Sequence, residues 1–188
     1  MDAIDAIQRR TSVRRYRPDP VPREAIEQLL DCAVRAPNHK LTEPWRFAVL
    51  TGRAKARLAE IKAGHRLRKA DDPTSEEARA RADKARRETL ESPTVIVVMA
   101  RTSDDDITRE EDYAAVMMAT ANLMTAAESL GLGTYLKTGG VMRDLALAEL
   151  VALPEGYRVV GILSVGYPME AETPRRRRPA GELTSWLG

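Results

Sequence analysis

The stretch 108–130 constrains this chain more than any other. Val116, Ala119, Leu123, Ala126, Ala127 and Leu130 recur at helical spacing along one stripe. Met117, Met118, Ala121, Met124 and Thr125 add a second apolar face. An ordinary surface helix keeps a polar side toward water, and this one keeps little. The spacing therefore predicts a long helix that is deeply buried or lies in a subunit interface. Thr108 with Glu111 reads as a capping box at its start, and Gly131 as its C-cap.

The rest of the chain must supply what that helix packs on. Residues 95–99, Val-Ile-Val-Val-Met, form a short β-branched run behind Pro93, which reads as a buried central strand. Residues 45–50, 134–137 and 157–166 read as further strands. Helices are expected over 2–9, 22–36, most of 53–92 and 143–151. Pro18 and Pro20 bar helix before Pro22, which suits a first turn. Within 53–92 acids and bases interleave, and Glu77 with Arg81 and Asp83 with Arg87 stand at i,i+4 spacing. That segment reads as a solvated, charged helical face, with 62–92 free to move. Few strands separated by long helices make this an α+β fold, a small central β-sheet flanked by helices, in one domain over 1–188.

Composition closes off several classes of function. The 188 residues carry 30 Lys+Arg against 28 Asp+Glu, a net charge of +2 that argues against a general nucleic-acid binder. The apolar runs fall far short of the ~20 residues that span a membrane. The first residues are acidic where a signal peptide needs bases, so a soluble, cytoplasmic protein is expected. Cys32 is the single cysteine, and His39 and His65 the only histidines, so no disulfide and no metal site is expected. Asp104-Asp105-Asp106 reads as a polar loop before a helix. There is no Walker loop and no Gly-x-Ser-x-Gly elbow. Gly131-Leu132-Gly133 follows a helix and lacks the third glycine of a dinucleotide fingerprint.

Four features remain. Arg9-Arg10-Thr11-Ser12-Val13-Arg14 puts guanidinium forks beside hydroxyls at a helix end, which suits an anion or simply a solvated basic turn. Arg35-Ala36-Pro37-Asn38-His39-Lys40, followed by Glu43-Pro44-Trp45, presents an amide, an imidazole and an ammonium on one rigid loop. Lys137-Thr138-Gly139-Gly140 lets backbone amides approach a ligand closely. The run 175–178 is four arginines, readable as a solvated tail, a nucleic-acid patch or a phosphate clamp.

Together, and in this order, these features resemble the nitroreductase family of FMN-dependent oxidoreductases over nearly the whole chain. The residues that carry the resemblance are 9–14, 36–40, Glu-Pro-Trp-Arg-Phe at 43–47, Glu-Ser-Leu-Gly-Leu-Gly at 128–133, and Gly-Tyr-Pro at 166–168. The short length and His39 look most like a compact bacterial NAD(P)H nitroreductase subgroup. The resemblance implies an intertwined homodimer with FMN at the subunit interface, and no nucleic-acid or membrane partner. By motif position, Arg10, Thr11 and Ser12 would hold the phosphate and ribityl chain. Arg35 and His39 would lie along the flavin, and Leu136, Lys137 and Thr138 at the ring edge. Arg175 and Arg177 would be the C-terminal basic pair, with their register open by one. The resemblance further implies hydride transfer from NADH or NADPH to the flavin, then reduction of nitroaromatic, quinone or related acceptors by ping-pong turnover, with no catalytic side chain. Relatives that dehalogenate or fragment their flavin are the alternative chemistry, and a basic-patch binding protein the non-enzymatic one. Glu43 stands where the family usually has glutamine, and a carboxylate cannot donate the amide's hydrogen bond.

Overall fold

A computed structural model of the chain describes residues 1–170 and 172–188. Among them four strands form one antiparallel sheet: β1 (Trp45–Leu50), β2 (Thr94–Arg101), β3 (Gly133–Lys137) and β4 (Tyr157–Gly166), in the order β1-β2-β4-β3. The two central strands are the two most apolar stretches. Helices cover both faces: α1 (Ala3–Arg9), α2 (Arg23–Ala33) and α5 (Asp106–Ser129) on one, and α3 (Gly52–Arg68), α4 (Glu76–Leu90) and α6 (Leu145–Leu150) on the other. This explains why β2 lacks the alternation of a half-exposed strand. Ile96, Val98 and Ala100 join the core under α2 and α5, while Val95, Val97 and Met99 join the core under α3 and α6. The registers slip between Val98 and Met99, where β4 carries one extra residue.

The long apolar helix is α5, and it buries Val116, Ala119, Leu123 and Ala127 completely. Its second face is only partly covered: Met124 packs against the core, whereas Met118 is 41% exposed and Ala121 is exposed beside it. The helix begins two residues earlier than the expected capping box. Asp105 is the N-cap, its carboxylate accepting from the Thr108 amide at 2.7 Å. Aspartate caps at least as well as threonine, and here it stands three residues nearer the N-terminus. Gly131, at φ +71°, ends the helix in a Schellman turn: the Leu132 amide donates to Ala127 at 2.8 Å and the Gly131 amide to Glu128 at 3.1 Å.

The charged stretch 53–92 resolves into two packed helices. Ala78, Ala82, Ala85 and Thr89 form a narrow buried stripe on α4, which lies on α3. Lys55 closes the C-terminus of α4 by donating to the carbonyls of Leu90 and Ser92 at 3.0 and 2.7 Å. Glu77 pairs with Arg81 as the spacing predicts. Asp83 pairs with Arg86 instead of Arg87, because Arg86 also reaches across to Glu60 on α3 at 2.8 and 3.0 Å. Two other helices are shorter than expected. The helix in 22–36 stops at Ala33, ahead of Pro37, and 143–151 shrinks to α6, which Asp144 caps and a 3-10 turn (Gly140–Arg143) precedes. No helix among the described residues is long and apolar enough to cross a membrane.

Candidate active site

Residues 10–17 leave α1 and are stitched along the β3 edge of the sheet. Ser12 bridges Thr134 in parallel, and the Val13 amide donates to Thr134 at 3.0 Å. Farther on, the Arg17 amide donates to Tyr167 at 2.9 Å, and the Tyr16 hydroxyl donates to the Val13 carbonyl at 2.7 Å. Gly133 makes the close approach possible. A Cβ there would fall 2.5 to 2.9 Å from three carbons of the Val13 side chain. The chain end returns beside this segment, and the two enclose a cavity of about 710 Å³. Arg10, Thr11, Ser12, Tyr135, Arg175 and Arg177 line it. Arg176 and Arg178 do not, which places the clamp residues two apart, the facing period of extended backbone. One atom is conspicuous: Arg10 Nη1 is buried with no hydrogen-bond partner. Arg10, Arg175 and Arg177 have no carboxylate within ion-pair distance among the described residues.

The other end of β3 is electrically different. Lys137 Nζ donates to Glu88 Oε2 at 2.8 Å and lies 5.0 Å from the Tyr135 ring centre, which Arg14 also covers at 5.4 Å. Lys62 donates to Thr89 Oγ1 at 2.7 Å. Burial first, and then the neighbouring Lys137 charge, bring the Lys62 ammonium down to about 8. Burial alone would raise the Glu88 carboxyl. The hydrogen bond and charge of Lys137 outweigh it and hold that carboxyl below its ordinary value. Lys62, Glu88, Tyr135, Leu136, Lys137 and Thr138 line a smaller cavity of about 350 Å³. Tyr135 borders both cavities, so one face of β3 links them.

Arg35 and His39 do not join this site within one chain. They lie in the segment that leads into β1, the edge strand opposite β3, itself three strand spacings or roughly 14 Å from β3. Their loop is strained and firmly held. Lys40, Leu41 and Glu43 all sit at positive φ, of 53°, 51° and 43°. Asn38 Oδ1 accepts from the Glu43 amide at 3.0 Å. Thr42 donates to Asp112 Oδ1 at 2.7 Å, while Arg101 donates to Asp112 Oδ2 at 2.9 Å through Nε. The loop therefore presents the exposed His39 and Leu41 outward from a fixed base.

Residues 7–167 match the family model described as Nitroreductase family. The chain belongs to the nitroreductase family. A Bacillus subtilis (strain 168) relative named "Putative NAD(P)H nitroreductase YfhC" is 30% identical over 176 residues, covering 93% of this chain and 89% of that one. YdjA of Escherichia coli (strain K12), which bears the same description, is 27% identical over 170 residues, 89% of each chain. The crystal structure of a nitroreductase-like family protein from Bacillus cereus superposes with a TM-score of 0.83 at 32% identity, covering 100% of this chain and 96% of that one. The family match ends before the arginine tail, and in this nitroreductase-family chain the tertiary structure sets Arg175 and Arg177 in the cavity that Arg10 lines.

Three residues of the neighbourhood escaped sequence reasoning. Asp112 sits among the acids at the start of α5 with no visible mark. Glu88 and Lys62 are lost in the alternating charges of α3 and α4. Their one signal is position: Lys62 stands one residue from Ile61 and Ala63, both buried. The aspartates 104–106 act through Asp105 as a helix cap, and among the described residues no cluster of His, Cys, Asp and Glu is arranged to hold a metal ion.

Proposed function

We propose that this chain is an FMN-dependent oxidoreductase that takes hydride from NADH or NADPH and reduces nitroaromatic, quinone or related acceptors in ping-pong turnover. The observation that carries this reading is the unpartnered, buried guanidinium nitrogen of Arg10, in a cavity shared with Arg175, Arg177 and two hydroxyl residues. A buried, unsatisfied donor is costly unless a ligand completes it. A dianionic phosphate monoester fits this donor set: planar forks for its oxygens, hydroxyls beside them, and four lining arginines against one acid, Glu172. The names of the relatives support an NAD(P)H donor and a nitro-group acceptor.

When bound, FMN would supply a ring nitrogen that accepts hydride and a store for two electrons. The chain's own residues do the rest. Arg10, Arg175 and Arg177 hold the phosphate, with Thr11 and Ser12 along the ribityl chain. Leu136 packs beside the ring edge. Lys137, braced by Glu88, keeps a positive charge there, and the amides beyond Thr138 are free to donate. No side chain need act as nucleophile.

The reading includes a homodimer. Ile4, Ile7, Leu41 and Met118 are exposed at 67%, 64%, 81% and 41%, and Trp186 and Leu187 at more than 90%. A second copy seated on these residues would cover the open face of α5. It would also bring its own Arg35 and His39 to the flavin, which one chain cannot do.

The test is the absorbance spectrum of purified protein, then anaerobic titration with each nicotinamide. Expected are a yellow protein, bleaching by NADH or NADPH, and re-oxidation by a quinone or nitroaromatic acceptor. Protein that neither carries nor takes up FMN overturns the proposal. Light scattering at micromolar concentration should give a dimer.

A further inference from the structure

A cavity of about 1020 Å³ lies beyond the far end of β3, between α3 and the segment leading into α6. Thr138 borders both this cavity and the smaller one at the ring edge, so the space begins where the proposed cradle ends. Its charges are unevenly matched. Asp144 is occupied: Arg68 and His65 Nδ1 share its Oδ2, the latter at 3.4 Å, and Oδ1 accepts from the Ala146 amide at 3.1 Å. Glu60 is occupied too, both oxygens bonded to Arg86. Arg57, Lys69 and Arg143 also line the cavity, and none has a carboxylate within ion-pair distance among the described residues. Gly140 keeps the wall open. A Cβ there would stand 3.0 Å from His65 Nε2.

Three cations without partners, around acids already neutralised, leave a net positive bowl beside the ring edge. Its volume exceeds what a single-ring acceptor fills and suits a nucleotide-sized molecule. We propose that this cavity is a second anion site, where Arg57, Arg143 and Lys69 bind a phosphate group of the molecule that reacts at the ring. The proposal rests on the oxidoreductase reading above for what happens next to it, but phosphate recognition here does not depend on flavin. Two sources share this chemistry: the phosphate-bearing end of a nicotinamide dinucleotide, or a phosphorylated acceptor.

The test uses FMN-saturated protein and the exposed-residue double variant Arg57→Ala/Arg143→Ala. Calorimetric titration with adenosine 2′,5′-bisphosphate and with 4-nitrophenyl phosphate reads the site directly. Flavin content and thermal midpoint, both expected unchanged, report folding. Losing two charge-assisted contacts should weaken the bound probe by about tenfold or more. Loss confined to the adenosine probe, with KM raised for NADPH more than for NADH, assigns the site to the donor. Loss confined to the aryl phosphate assigns it to the acceptor. Neither probe binding, or equal binding by the double variant, overturns the proposal. Phosphate binding by protein that refuses FMN would sink the oxidoreductase reading and leave this site standing.

Discussion

The two edges of the sheet treat buried charge in opposite ways. At the β1 edge, Asp112 is almost fully buried and completely partnered, taking Thr42 on one oxygen and Arg101 on the other. At the β3 edge, Arg10 has a buried nitrogen with no partner, and among the described residues Arg175 and Arg177 form no ion pair, although Glu172 lines the same cavity. A satisfied buried charge holds its surroundings in place. An unsatisfied one costs stability until something outside the chain arrives. The first edge is an anchor for a strained loop; under the proposed function the second is a receptor.

That contrast can be broken by crossing the two sites. Asp112→Ala should cost about 2 kcal/mol of stability, read by chemical denaturation, because Thr42 and Arg101 lose their shared acceptor. Arg101 is partly exposed and recovers some solvation, which keeps the loss below that of a fully buried pair. Arg10→Ala should do the reverse. FMN affinity should fall by roughly tenfold to a hundredfold, while the flavin-free protein melts no lower than the parent. If Arg10→Ala unfolds the chain and Asp112→Ala does not, the assignment of anchor and receptor is wrong.

Smaller effects sharpen the receptor. Arg177→Ala should weaken FMN binding by about tenfold, and Arg176→Ala by less than about twofold, since only the first lines the cavity. Equal losses would mean general attraction by the tail. The smallest effect is in pH. Lys62 titrates at about 8 in the folded chain and at the ordinary lysine value of 10.5 when unfolded. Between those values the unfolded chain holds the extra proton, so the burial penalty present below pH 8 is lifted and this residue makes stability rise with pH. Lys62→Met should remove that rise when denaturation midpoints of the two proteins are compared from pH 7 to 10. A parallel profile for both would contradict the buried charge.

How much of this could be read in advance depends on distance along the chain. The strands 45–50 and 157–166 stand where their apolar patterns put them, because the run of side chains is itself the cause of burial. The start of α5 was misplaced, since Asp105 and Thr108 both offer a cap and only the backbone decides between them. The nitroreductase motifs marked Arg10, Thr11 and Ser12 as one group. They left the tail arginines open by one residue, and the cavity takes Arg175 and Arg177.

The sequence by itself determined the α+β layering, the strand that is apolar on both faces, the over-apolar helix and the family. The layering, the strand and the helix follow from periodicities within one segment, where neighbours in sequence are neighbours in space; the family follows from motifs that stand in one order along the chain. Tertiary structure alone decided that Val13 seats on Gly133, that Glu88 braces Lys137, that Asp112 carries the loop, and that Arg175 and Arg177, not Arg176 and Arg178, line the cavity with Arg10. Each joins residues tens to more than a hundred positions apart, and no local pattern encodes a contact whose partner arrives only when the sheet has closed.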